Sequence, residues 1–199
     1  MRNSRWIGVF GAAVVLGVGL AAGDAAAFSA SYDQKMTQGW KVYQSKVSLK
    51  NELFRMEMMA EGKAMIIIHN AEGTYTVMPS EGMAMKTSSL RPGQRPVPGA
   101  GNYAQYLEQQ QAERTGSETI DGHACDIYRY TDSETRELTT AWVWKDKMFP
   151  VKFETEGADG KTLVELSNIQ LGAAVPDAAF QLPDGVQVMD MGNLMGMMQ

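Results

Sequence analysis

From Phe28 onward, apolar and polar residues alternate with a period of two, the signature of half-buried antiparallel strands. Successive strand residues point to opposite sides. In FSASYDQKM this puts Phe28, Ala30, Tyr32 and Met36 on one face and Ser29, Ser31, Asp33 and Lys35 on the other. WKVYQSKVSL follows after Gly39, and NELFRMEMMA, beginning at Asn51, sets Phe54, Met56, Met58 and Ala60 against Arg55 and Glu57. EGK at 61–63 predicts a tight turn. AMIIIH is apolar on both sides, as expected of a strand in the middle of a sheet, and GTYTVM and GMAMKT repeat the theme in shorter form.

The alternation breaks at RPGQRPVPGAG, residues 91–101, where three prolines and three glycines forbid regular structure. Asn102 is placed to cap YAQYLEQQQAER, the one stretch with helical spacing, in which Tyr103, Tyr106 and Leu107 form a small apolar stripe. Strands resume at HACDIYRYT, RELTTAWVWK, PVKFET, KTLVELSNIQL and FQLP, with turns at KDKMF and EGADG. The pattern predicts roughly ten strands, one helix and one long insertion between two sheet halves. A greasy sheet face must be covered, by closure into a barrel or by curling around a helix. The lone helix and the Pro/Gly loop favour the second: a mainly β, strongly curved antiparallel sheet forming an open half barrel, with helix and loop as its lid. The mouth of such a barrel is a common place for a ligand cavity.

The first residues do not follow this pattern. Arg2 and Arg5 precede a 17-residue apolar run, Trp6 to Ala22, and then Ala25-Ala26-Ala27. That run is short against the ~20 residues a membrane span needs, and the order matches a secretory signal peptide cleaved near Ala27. No cysteine stands at the boundary to be lipidated. The expected organisation is a leader over 1–27, a β-domain over 28–190 and a Met-rich tail over 191–199 that is flexible or plugs the barrel. The mature protein is expected to be periplasmic, monomeric and without a transmembrane anchor. Loss of the leader removes Arg2, Arg5 and Asp24, so the 18 basic and 23 acidic residues become 16 and 22 and the formal charge goes from −5 to −6. Such a surface disfavours nucleic acid and anionic headgroups. A single cysteine, Cys125, cannot form an intramolecular disulfide.

Residues 141–190, AWVWKDKMFPVKFETEGADGKTLVELSNIQLGAAVPDAAFQLPDGVQVMD, resemble the C-terminal half of the LolA-like superfamily of bacterial envelope proteins. That group includes lipoprotein carriers, the sigma-factor regulator RseB and mycobacterial lipid carriers. The shared elements are a Trp-bearing strand, a turn, a Pro-led strand, a DGK hairpin, an N-I strand and F-x-x-P-x-G before the final strand. GHACDIYRY and ELFRMEMM extend the likeness over most of the chain, and it is closer still to the DUF4412-type exported proteins. The resemblance implies an unclosed antiparallel barrel whose concave face, shielded by helices, accepts acyl chains in the carrier members. It also implies a lid role for Arg55, the position matching an Arg that helps hold the lid shut in those carriers.

Candidate chemistry is sparse. His69 and His123 are the only histidines, and His123 lies two residues from Cys125, on the same face of an extended strand. The pair could be a thiol nucleophile or half a metal site, but no third ligand of comparable quality is nearby. No P-loop, G-x-S-x-G or zinc-type spacing is present. A non-enzymatic protein without a cofactor is expected. The 15 methionines are the richer signal. Those of the first half are core, or cavity lining that adapts to varied apolar shapes, or ligands to a soft metal. The expected wall of a hydrophobic cavity comprises Phe54, Met56, Met58, Ile66, Ile68, Met83, Met85, Trp142, Trp144 and Phe153, with Arg55, Tyr103, Tyr106 and Leu107 as lid and closure. The ligand would be a lipid, an acyl chain or a lipidated partner. The alternatives are a Cu(I)/Ag(I)-binding protein using Met189, Met191, Met195, Met197 and Met198, whose thioethers suit soft ions, or an envelope sensor or structural module with a filled core.

Overall fold

The computed structural model describes residues 28–60, 62–87, 103–133, 136–158 and 160–190. The expected leader, the Pro/Gly lid loop and the terminal methionines from Met191 onward lie outside the described residues. The strands are β1 (Ser29–Gln38), β2 (Lys41–Lys50), β3 (Leu53–Ala60), β4 (Lys63–Asn70), β5 (Gly73–Met78) and β6 (Met83–Thr87). After helix α1 (Tyr103–Gln109) come β7 (Glu113–Ile120), β8 (His123–Thr131), β9 (Leu138–Trp144), β10 (Phe149–Gly157), β11 (Gly160–Leu171) and β12 (Gln187–Asp190). All belong to one sheet, in the order β12-β6-β5-β4-β3-β2-β1-β11-β10-β9-β8-β7. Two antiparallel meanders, β1–β6 and β7–β11, are thus sewn together where β1 pairs with β11. The end strands do not meet, so the half barrel stays open. No helix among the described residues is long and apolar enough to cross a membrane.

Turn chemistry follows the sequence. Asp121 and Gly122 have φ of 47° and 80°, the left-handed pair of a two-residue hairpin whose twist suits the flanking strands. Two elements differ from expectation. The helix stops at Gln109, and Gln111 turns the chain at φ 53°, so that Glu113 and Arg114 already belong to β7. β7 shows no apolar alternation because it is an edge strand exposed along most of its length. FQLP is not a strand: Asp177–Phe180 form a 3-10 turn, and the last strand is Gln187–Asp190, laid parallel on β6.

Partners across a ladder point to the same side, so the register assigns two faces. The inner face carries the main core: Tyr32, Met36, Val47, Leu49, Phe54, Met56, Phe153 and Val164, among others, packed with Tyr103 and Leu107 of α1. The outer face carries a second, smaller core, Ile68, Tyr75, Val77 and Ala84, covered by Leu182 and Val186. The covering segment between β11 and β12 is a strap pinned across the sheet. Lys50 pairs with Asp177 (2.6 Å), Arg55 donates to the carbonyl of Ala179 (3.1 Å), and Asn70 donates to that of Phe180 (3.0 Å). Phe180 itself is buried beneath it. Burial of such a ring contributes about 1.5–3 kcal/mol.

Candidate functional site: a methionine-lined inner face

The register that builds the sheet also lines up its thioethers. Met58 stands opposite Met65 across β3 and β4, and Met78 opposite Met83 across β5 and β6. Because Ile66 pairs with Val77, the next step along the same ladder brings Met65 opposite Met78. Four methionines on four consecutive strands, each about 4.8 Å from the next, therefore form one cross-strand row. The neighbouring row is Met56, Ile67, Thr76 and Met85, continued onto β12 by Met189. Met56 is fully buried, whereas Met65, Met78, Met83 and Met85 are partly exposed and lie outside the packed cluster under α1.

The electrostatics of this face are as simple as its lining. From β1 to β6 the inward-pointing positions include no Asp, Glu or Arg, and the only lysines there, Lys41 and Lys63, are the first residues of their strands, at the rim. Lys63 is already paired with Glu81 at 2.8 Å. At the other end of the face, His69 stacks on Phe54 (ring centroids 5.6 Å apart) and its Nδ1 lies 2.9 Å from the Thr74 hydroxyl. Burial lowers its pKa, against a smaller opposing pull from Glu52, so the imidazole is neutral at pH 7 and adds no charge. Two polar atoms on this face, the Tyr32 hydroxyl and Gln34 Oε1, are buried with no hydrogen-bond partner among the described residues.

The structure divides the expected cavity wall. Phe54, Met56, Met58, Met83, Met85 and Phe153 share the inner face, and Tyr103, Tyr106 and Leu107 lie over it. Tyr103 meets Phe153 edge-on, and the Tyr106 hydroxyl donates to Asp132 at 2.9 Å. Ile66 and Ile68 are not on that face: they belong to the outer core beneath the strap. Trp142 and Trp144 also point outward. The Trp142 indole donates to Glu118 (2.7 Å) beneath the Lys152 ammonium (4.2 Å), and Trp144 stacks on His123 (3.9 Å). The smaller Ala141 and Val143 take the inward positions because the rings of Tyr103, Tyr130, Phe149 and Phe153 fill that space. Arg55 points outward too, bonded to Ala179 and to Glu57 (2.6 Å), so it fastens the strap rather than α1. Met65 and Met78, first-half methionines left open between core, lining and metal ligand, complete the rows together with Ile67, which was not expected there; the signal for their alignment is the cross-strand register rather than any one strand.

The remaining candidates lose their chemistry. The Cys125 thiol is buried and donates to the His123 carbonyl (3.3 Å) while the imidazole lies on Trp144, so thiol and ring are not aimed at each other. Burial pushes the thiol pKa up, which lowers the fraction of reactive thiolate. Among the described residues no group of three or more His, Cys, Asp or Glu could hold a metal. A cleft of about 520 Å³ lies between the β7–β8 turn (Ile120, Asp121, His123), Val151 and the Leu166–Gln170 stretch of β11, and shares no residue with the methionine rows.

Over residues 28–148 the sequence matches the model of a domain of unknown function, DUF4412. Among solved structures, an uncharacterized conserved protein from Thermus thermophilus is similar at 9% identity and a TM-score of 0.59, over 81% of this chain and 90% of that one. A chain of the Pseudomonas aeruginosa MucA/MucB complex is similar at 12% identity and a TM-score of 0.53; the alignment covers 81% of this chain but only 58% of that one. A LolA superfamily protein from Nitrosomonas europaea aligns at 13% identity and a TM-score of 0.40, over 78% and 90% of the two chains. At such identities the likeness is one of fold. No curated protein matches the sequence.

Proposed function

Because the chain belongs to the DUF4412 family and has a LolA-like fold, we propose that it is an exported, non-catalytic protein that takes up a hydrophobic guest on the inner face of its half barrel. The guest is a lipid, an acyl chain or a lipidated partner, and the leader pattern of residues 1–27 supports a periplasmic setting. The observation that carries this reading is the partly exposed field of Met65, Met78, Met83 and Met85, free of charge and open beside the helix-covered core. Thioether side chains reshape around different hydrocarbon surfaces, and each methylene drawn from water onto such a surface contributes about 0.8 kcal/mol.

The row of four aligned thioethers favours one second reading, Cu(I) or Ag(I) binding, since soft ions take thioether ligands. Native mass spectrometry of the protein purified from the periplasm separates the two. Co-purified lipid supports the first reading and bound copper the second. A bare polypeptide that also fails to take up a fluorescent fatty acid overturns both.

A further inference from the structure

The rim of the sheet that bears the four-methionine row also bears the most exposed large apolar side chains of the described chain. Trp40, in the β1–β2 turn, is 87% exposed; Val42 on β2 and Met59 on β3, diagonal neighbours on the outer face, are 55% and 60% exposed. The β1–β2, β3–β4 and β5–β6 turns all lie at this end, and Met58, Met65, Met78 and Met83 are within three residues of them. A soluble surface does not normally gather a tryptophan, a valine and a methionine at one end of a sheet without a partner.

The charge around the tip suggests which partner. Residues 34–46 contain three lysines and no Asp or Glu, in a chain whose net charge is −5. Lys35 reaches Glu165 on another element, and Lys46 stands in register with Asp33 and Glu57. Lys41 stands at the tip with its ammonium 5.5 Å from the Trp40 ring. An indole beside a flexible ammonium is suited to the boundary between lipid tails and headgroups, where the ring sits among the glycerol groups and the amine reaches anionic phosphates.

We propose that the β1–β2 hairpin tip, with Trp40, Lys41, Val42 and Met59, docks this protein on the surface of an anionic phospholipid bilayer, holding the methionine rim against the membrane. Docking does not require that a guest be bound, so the two readings can fail separately.

The test is flotation of the chain from Phe28 to Gln199 with phosphatidylcholine vesicles, with and without about one-third phosphatidylglycerol. The chain is expected to float with the anionic vesicles. Trp40→Ala combined with Met59→Ser should lower the bound fraction at least about tenfold with thermal midpoint and fluorescent fatty-acid uptake unchanged, because neither residue is buried. Lys41→Gln should weaken binding to the anionic vesicles specifically. In a Trp142→Phe/Trp144→Phe background, brominated lipid should quench Trp40. Absence of flotation, equal flotation of the double variant, or a wild-type dimer in sedimentation that the double variant dissolves would overturn the proposal, the last by making the tip a contact between two copies.

Discussion

Arg55 and Ala179 are joined across the outer face of the sheet, the guanidinium Nη1 donating to the backbone carbonyl at 3.1 Å over a separation of 124 residues. The bond ties the C-terminal strap to β3 and lies on the side of the sheet away from α1. Arg55→Ala is expected to lower stability by about 1–2 kcal/mol through the lost charge-assisted bond and to speed proteolysis within residues 172–186. Fatty-acid uptake should not change. Urea titration and a binding titration on the same variant check both halves, and a loss of uptake at wild-type stability would return Arg55 to a lid role.

The inner methionines offer a sharper contrast. Met65→Lys with Met83→Lys should reduce uptake of a fluorescent fatty acid at least about tenfold, or about 1.4 kcal/mol, since charge would enter a face whose only inward-pointing charged residues from β1 to β6, Lys41 and Lys63, stand at its rim. The cost in stability should stay near 1 kcal/mol because both side chains are already partly exposed. Met65→Leu with Met83→Leu keeps the hydrocarbon and removes the sulfur, so guest uptake should persist while any Cu(I) binding is lost.

His69 predicts a pH dependence. Burial lowers its folded-state pKa below the usual 6.5, so the unfolded chain binds the proton more readily than the folded one. Its contribution to stability is fully present above about pH 6.5 and is lost as pH falls from there through the lower folded value. The urea midpoint should decline over that interval, and His69→Gln should flatten that part of the profile.

Face assignment can be tested through the aromatic residues. Phe153→Ala opens a hole against Tyr103 in the inner core and should cost about 3–5 kcal/mol. Trp142→Phe loses an exposed hydrogen bond to Glu118 and part of the contact with Lys152, and should cost under about 1 kcal/mol. Equal losses in urea unfolding would show that the outward position of Trp142 is misassigned.

Cys125 should be inert in the folded protein. Its buried thiol, held to the His123 carbonyl and with a raised pKa, is expected to react with a thiol reagent at pH 8 only as fast as the protein opens, and promptly in urea. Rapid labelling of the native chain would contradict this.

The strands are legible in the sequence because each carries its own period; which face looks inward is legible only where the other face is polar. FRMEM is such a case, with Phe54, Met56 and Met58 set against Arg55 and Glu57. AMIIIH and AWVW are apolar on both sides, and period two cannot choose between them. Ile66 and Ile68 face outward because a strap from more than 100 residues downstream covers them. Trp142 faces outward because four rings from three other elements already occupy the inside. The methionine row is hidden from sequence for the same reason. Its members are spread over 26 positions and become neighbours only when three turns fix the register. β7 and β12 escape the pattern because each lies at an edge and is mostly exposed, so neither shows an alternating run.

The seam between β1 and β11 dictates when the molecule can become whole. Lys35 meets Glu165 across it, 130 residues later. As the chain emerges, the first six strands can hairpin together, but β1 then has a bare edge of backbone donors and acceptors until residues 160–171 arrive. Such an edge is open to pairing with any extended strand it meets, and long-range closure of this kind is slow. A chain interrupted before β11 would be a half-sheet prone to aggregate, so premature termination should leave inclusion bodies rather than a smaller working protein.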